Sequence, residues 1–142
     1  MGTQETAVIK RERYQDLHLD LDFEHRLARL DLKPMPLTRK EYELLALLVQ
    51  NAGDIVTREA LLMRVWGYSS QIRTRTLDVH IRRLRKKLGP YADQYIETIF
   101  GIGYRFQPYR AARVFQSVDV VRSQSVLQIG ARSLSRPRGS TR

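Results

Sequence analysis

The stretch "TRTLDVHIRRLRKKL", Thr74 to Leu88, carries two signals at once. At about 100° per residue, a helix gathers Leu77, Ile81, Leu84 and Leu88 into one narrow apolar stripe. That stripe predicts a core face. Half a turn away lie Arg75, Thr76, Val79, Arg82, Arg83 and Lys86, with Asp78, His80, Arg85 and Lys87 on the flanks. Asp78 falls in the first turn, where it favours the helix dipole and is placed to pair with Arg82 one turn on. Gly89-Pro90 ends the segment. A merely solvated face usually mixes signs, whereas this one has no acid near its centre and sets a valine among arginines. Arginines meet phosphates and guanine edges, and a valine meets a thymine methyl, so the face suits a DNA major groove.

The rest of the chain narrows the reading. Its 142 residues are one domain's worth of chain, with a formal net charge of +10 and a pI near 10.4. The excess is local: residues 71–91 carry +6 and residues 110–142 another +6. Cysteine is absent, which excludes disulfides and thiolate metal sites. The longest apolar run is six residues, Leu44 to Val49, too short to span a bilayer, and no signal peptide is visible.

Upstream, "DLHLDLDF" alternates strictly, with Leu17, Leu19, Leu21 and Phe23 on one side and Asp16, His18, Asp20 and Asp22 on the other. It predicts a half-buried strand with a solvated polar row. The row is no metal site, because residues two apart on a strand lie about 6–7 Å apart and cannot close on one ion. "HRLARLDL" and "KPMPLT" add a strand and a short extended piece, giving an N-terminal antiparallel sheet. In "LTRKEYELLALLVQNAG", Thr38 and Glu41 form a capping box and Leu37 and Tyr42 a hydrophobic staple. Leu44, Leu45, Leu48 and Val49 predict a buried face, with Gly53 as the stop. Thr57 caps a second helix, "REALLMRVW", which buries Leu61, Leu62 and Val65. The linker "GYSSQIR" leads to the basic helix, and "QYIETIF-GIG-YRF" reads as two short strands around a turn. The fold class is α+β: a winged helix-turn-helix with an N-terminal antiparallel sheet, three helices and a C-terminal hairpin wing.

Residues 14–107 resemble the OmpR/PhoB-type winged-helix output domain of bacterial two-component response regulators. The matching stretches are "LTRKEYELLALLVQNAGDIVTREALLMRVWG", "RTRTLDVHIRRLRKKL" and "YIETIFGIGYRF", in order and at the right separations. The resemblance implies a cytoplasmic, nucleoid-associated transcription regulator that binds direct-repeat DNA as a head-to-tail dimer. It also implies that the helix at 75–88 enters the major groove and the hairpin the neighbouring minor groove. Arg83 matches the family's base-reading arginine and Val79 its thymine-methyl contact. Arg75, Thr76, Arg82 and Arg85 match phosphate contacts, and Lys86 joins them on the same face. Trp66 and Tyr104 match contacts to the DNA backbone, although a core tryptophan and a hairpin-packing tyrosine fit those positions too. The wing comprises Phe100, Gly101, Gly103 and Arg105. Gly67, Tyr68, Ser69, Ser70 and Gln71 lie where the family meets RNA polymerase. No cofactor or metal is implied.

Two departures stand out. Phe100 occupies a position where the family commonly has an arginine, which predicts weak minor-groove readout. Only 13 residues precede the first expected strand, leaving no room for a phospho-accepting receiver domain. The expected organisation is a linker at 1–13, a DNA-binding domain at 14–109 and a basic, disordered tail at 110–142. Among other functions, an enzyme lacks any nucleophile–base pair, phosphate loop or metal cluster. An RNA-binding sheet would need exposed aromatics. The remaining alternatives are a protein-interaction winged helix and a receiver-less regulator outside phosphorylation control.

Overall fold

The structure, a computed structural model, describes residues 7–9 and 12–110. Ala7–Tyr109 forms one compact unit. An antiparallel five-stranded sheet comes first, in the order β1 (Val8–Ile9), β2 (Arg13–Gln15), β3 (Leu19–Asp22), β4 (Leu27–Leu30) and β5 (Lys33–Pro34). The sheet therefore begins inside the segment expected to be a linker. Two strands of two and three residues are too short to show a period. Leu19 and Leu21 are fully buried, as the alternation of β3 requires. Leu17 lies in the bend before the strand and is 51% exposed, and Phe23 lies in the turn after it, so the alternation overstated the strand at both ends.

The polar row of this strand is engaged rather than simply solvated. Asp20 accepts from Nε and Nη2 of Arg13 on β2, with both carboxylate oxygens engaged. Asp22 accepts the backbone N–H groups of Glu24 and His25 at 3.0 Å each. Asp16 is a hub that accepts the N–H groups of His18 and Leu19, each at 2.9 Å, and that of Tyr109 at 3.1 Å. It also accepts the hydroxyls of Tyr95, at 2.6 Å, and of Tyr14. One carboxylate thus ties the sheet to the residues just after the hairpin.

Helix α1 (Arg39–Gln50) starts as its sequence dictates. Thr38 Oγ1 accepts from Glu41 N–H at 3.2 Å and Glu41 Oε1 from Thr38 N–H at 3.0 Å, the reciprocal capping box. The helix stops at Gln50, with Asn51 as its cap, and Gly53 with φ +90° serves the turn that follows. That turn leads into β6 (Ile55–Thr57), a strand the sequence reading missed. Helix α2 (Arg58–Leu61) starts at Thr57, whose hydroxyl accepts from Ala60 N–H, and continues as a wider π-helical turn, Leu62–Trp66. Leu61, Leu62 and Val65 are buried. Gly67 then closes the turn at φ +76°.

Helix α3 (Thr76–Leu88) packs on α1. Leu77, Leu84 and Leu88 are fully buried and Ile81 is 2% exposed, so the predicted stripe is the core face. Truncating Leu84 to alanine would remove about 2–5 kcal/mol. Thr74 Oγ1 accepts from Thr76 N–H at the start, and Gly89 ends the helix. A short helix α4 (Ala92–Tyr95), not expected from sequence, leads into β7 (Ile96–Ile99) and β8 (Gly103–Phe106). The hairpin is completed by β6 in a three-stranded antiparallel sheet of order β6-β8-β7. At Gly103 the backbone of β6 leaves no room for a side chain: a Cβ there would sit 2.0 Å from the Val56 carbonyl oxygen.

Candidate nucleic-acid interface

The exposed side of α3 is cationic, with Asp78 at its edge as the one acid of the helix. Arg75, Arg82, Arg83 and Lys86 are exposed, and Thr76 and Val79 half-buried. None of the four cations forms an ion pair with an acid among the described residues, although the charge of Arg75 helps to hold the Asp78 carboxyl below its ordinary value. The expected Asp78–Arg82 pair does not form. Asp78 turns to α2 instead, where Arg58 reaches both its oxygens at 2.7 and 3.4 Å. Tyr104 Oη adds a third bond to Asp78 at 3.2 Å. The Arg58 hydrogen bond is the main reason the Asp78 carboxyl titrates below its ordinary value, against the opposing effect of partial burial. Burial, then the charge of Asp78, pushes the Tyr104 phenol up. Arg58, Asp78 and Tyr104 thereby clamp the first turn of α3 to α2 and to the hairpin.

Two further cations of α3 are committed to the scaffold. Arg85 Nη2 donates to the Ile96 carbonyl at 2.9 Å and to Thr98 Oγ1 at 2.8 Å. Its guanidinium also lies 5.9 Å from the Tyr104 ring centroid, a cation–π contact. Its Nε is buried without a partner among the described residues. This arginine holds helix to wing, which differs from the phosphate contact expected of it. Lys87 Nζ pairs at 2.6 Å with Glu41, which is only 2% exposed. Of the cations on the helix and at its cap, Arg75, Arg82, Arg83 and Lys86 remain available to a ligand.

Trp66 is half-buried, with its ring edge-on to His80 at 4.9 Å between centroids, while His80 Nδ1 lies 2.8 Å from the Thr76 carbonyl. The Trp66 indole N–H has no acceptor among the described residues, so packing and an outward contact are compatible there. Tyr104 is 6% exposed and its hydroxyl is engaged by Asp78, the arrangement of a packing residue. In the wing, Phe100 is 89% exposed, so it does not pack on the hairpin. Gly101 adopts φ +76°, Gly103 is buried against β6, and Arg105 pairs with Glu97 at 2.9 Å. In the loop after α2, Gly67, Ser69, Ser70 and Gln71 are exposed, while Tyr68 is half-buried against the core. Ser69 and Ser70, with Ile72, Arg73 and Thr74, line a shallow hollow closed by Arg58, Glu59 and Leu62. Among the described residues no helix is long and apolar enough to cross a membrane.

Sequence reasoning missed the Arg58–Asp78–Tyr104 clamp and the Arg85 tether. Both join residues that only the finished fold makes neighbours. The one available signal was Asp78 itself, an acid on a helix whose exposed face is otherwise cationic.

Comparison with known proteins agrees with this architecture. Residues 33–106 match the family described as "Transcriptional regulatory protein, C terminal". The response regulator ArlR of Staphylococcus saprophyticus is 46% identical over 76 residues, covering 53% of this chain and 34% of that protein. ArlR of Staphylococcus aureus is 51% identical over 69 residues, 48% of this chain and 32% of that protein. The chain thus spans about a third of the length of these curated relatives. Response regulator DrrB, an OmpR/PhoB homologue of Thermotoga maritima, superposes with a TM-score of 0.63 at 36% identity, over 69% of this chain and 45% of that one. The DNA-binding domain of RstA from Klebsiella pneumoniae, solved in complex with the RstA box, gives 0.62 at 32% identity, over 70% of this chain and all (100%) of that one. A sheet, a helix pair ending in an unpaired basic face and a moored hairpin, matched over these residues, place the chain in the family of transcriptional regulatory C-terminal domains: it is a non-enzymatic, OmpR/PhoB-type winged-helix DNA-binding domain of the response-regulator kind.

Proposed function

We propose that this chain is the output module of a two-component response regulator and that it reads double-stranded DNA with α3 in the major groove. The observation that carries the reading is the patch of four unpaired cations, Arg75, Arg82, Arg83 and Lys86, around the half-exposed Val79. Arg83 reads a guanine edge and Val79 a thymine methyl, while Arg75, Thr76, Arg82 and Lys86 hold phosphates. Trp66 adds an indole donor at the groove edge. Arg85 and Tyr104 act one step back, fixing the angle between helix and wing. The wing follows the backbone into the adjacent minor groove. Two copies bind direct repeats head to tail, and Gly67, Tyr68, Ser69, Ser70 and Gln71 face RNA polymerase. As the output module of such a regulator, the domain acts under phosphorelay control; a regulator outside that control is the alternative.

Selection of bound duplexes from a random pool tests the reading, followed by two major-groove substitutions in the selected site. Replacing the contacted guanine with 7-deazaguanine removes an acceptor of Arg83. Replacing the contacted thymine with uracil removes the methyl that meets Val79. Each should weaken binding at one position only. A pool with no enriched sequence, or a selected site indifferent to both replacements, would refute major-groove reading. In the first case a protein-interaction role without DNA binding would stand in its place.

A further inference from the structure

The wing tip is the most exposed apolar feature among the described residues. From Ile99 to Tyr104 it carries no charge, and Phe100 is 89% and Ile102 48% exposed. The tip is nevertheless well built. Ile102 N–H donates to the Ile99 carbonyl at 2.9 Å, and Gly101 takes φ +76° at the third position, as a type II turn requires. The tip is also moored. The Ile102 carbonyl accepts from Arg58 N–H at 3.0 Å, and two residues on, Tyr104 bonds to Asp78 in the first turn of α3. At the rise of an extended strand, Ile102 lies roughly 7 Å beyond Tyr104. The tip is thus held beside the N-terminal part of the basic helix, the part that comes closest to base edges in helix-turn-helix proteins.

Resting on the DNA reading above, we propose that Phe100, supported by Ile102, enters the minor groove as an apolar wedge and makes the chain prefer a deformable pyrimidine–purine step there. The tip has no cation for the narrow A-tract groove, and the nearest wing arginine, Arg105, is occupied by Glu97. What the tip offers is an aromatic ring and a branched aliphatic chain, the groups that minor-groove proteins use to part stacked bases. Pyrimidine–purine steps unstack most readily. A duplex is the favoured occupant because it meets the four unpaired cations of α3 and the uncharged tip together. A protein seated on the tip would have to face those cations as well.

The test uses the full 142-residue chain and its selected duplex, with the flanking steps changed one at a time between TA and AA. 2-Aminopurine at each flanking position reports unstacking. The expected result is one flanking step where TA binds about three- to tenfold better than AA and where fluorescence rises on binding. Phe100→Ala should erase both the preference and the rise, leaving the salt dependence and the thermal midpoint unchanged. Phe100→Leu should keep part of each. An alanine variant that retains the step preference and the fluorescence change overturns the wedge, and so does one that loses affinity equally on every flank. In the first case the tip is left for a protein partner. If the wild-type chain selects no duplex at all, the DNA reading has failed, and the wedge with it.

Discussion

Replacing Lys87 with methionine separates the scaffolding of α3 from its exposed basic face. Glu41 is 2% exposed, and its Oε1 accepts from both Lys87 Nζ at 2.6 Å and Thr38 N–H at 3.0 Å. Burial opposes ionisation of this carboxyl, but the bonds and charge supplied by Lys87 and Thr38 outweigh it and hold the group below its ordinary value. Methionine keeps most of the stem and removes the charge. Breaking a buried pair from one side costs about 3–5 kcal/mol. The Lys87 side chain is 34% exposed, so water screens part of the interaction, and Thr38 still serves the carboxylate. The expected loss is therefore about 1.5–3 kcal/mol, or roughly a 10 °C fall in Tm.

The pH dependence follows from the direction of the shift. A lowered folded-state pKa gives stability that is present above the unfolded value of about 4.3 and lost as pH falls through the folded value. The methionine variant lacks most of that contribution at neutral pH and so has less to lose. Urea melts of both proteins at about pH 7 and about pH 4 should show the gap narrowing with acid. Site ranking on DNA, measured well below both midpoints, should not change, because Lys87 is turned away from the unpaired face. A gap under about 0.5 kcal/mol at neutral pH would mean that the pair contributes no more than an exposed one. A gap that widens with acid would reverse the assigned sign.

Arg83→Ala should cost about 1–3 kcal/mol on the selected site and flatten the preference at one base pair; equal loss on specific and random duplexes in competition would rule out base reading. Asp78→Asn frees Arg58 and removes the only acid of the α3 first turn, so we expect a stability loss of about 0.5–1.5 kcal/mol, reduced because both side chains are partly exposed. The same change should raise nonspecific DNA affinity while lowering the specific-to-random ratio, and a ratio that holds would show that the clamp does not position the helix. Removing residues 111–142 takes away six arginines. Each phosphate they neutralise contributes about −0.9 to the slope of log K against log salt, so the nonspecific slope should become shallower with site ranking intact. Loss of the ranking on titration at several salt concentrations would place the tail within the recognition surface.

What could be read in the sequence was local. Thr38 and Glu41 are three positions apart, so the capping box and the start of α1 were visible without the fold. The stripe Leu77, Ile81, Leu84 and Leu88 repeats within one helix and declared both its core face and the basic face opposite. Strand β6 was hidden because Ile55, Val56 and Thr57 make a strand only when β8 arrives beside them, some fifty positions later. Arg85 lies on a flank that periodicity alone could not assign. The Ile96 carbonyl and Thr98, on a strand that folds back against the helix, decide which way it turns. Asp78 had two possible partners: Arg82 was close in sequence, but Arg58 was the one brought within 2.7 Å. Phe100 was recognisable as a departure, yet its exposure depended on a turn that leaves nothing for it to pack against.

The moorings between α3 and the hairpin make the domain a caliper. Its jaws, the helix and the wing tip, are joined through Asp78, Arg58, Tyr104 and Arg85, so the span between them is set when the chain folds. DNA advances by about 3.4 Å and turns by roughly 35° with each base pair. On the DNA reading proposed above, a letter changed under one jaw removes one contact. A base pair inserted between the jaws displaces every contact made by the other, and a rigid caliper cannot follow. Sites recognised in this way can drift in sequence while remaining fixed in length, and the length itself becomes part of what is read.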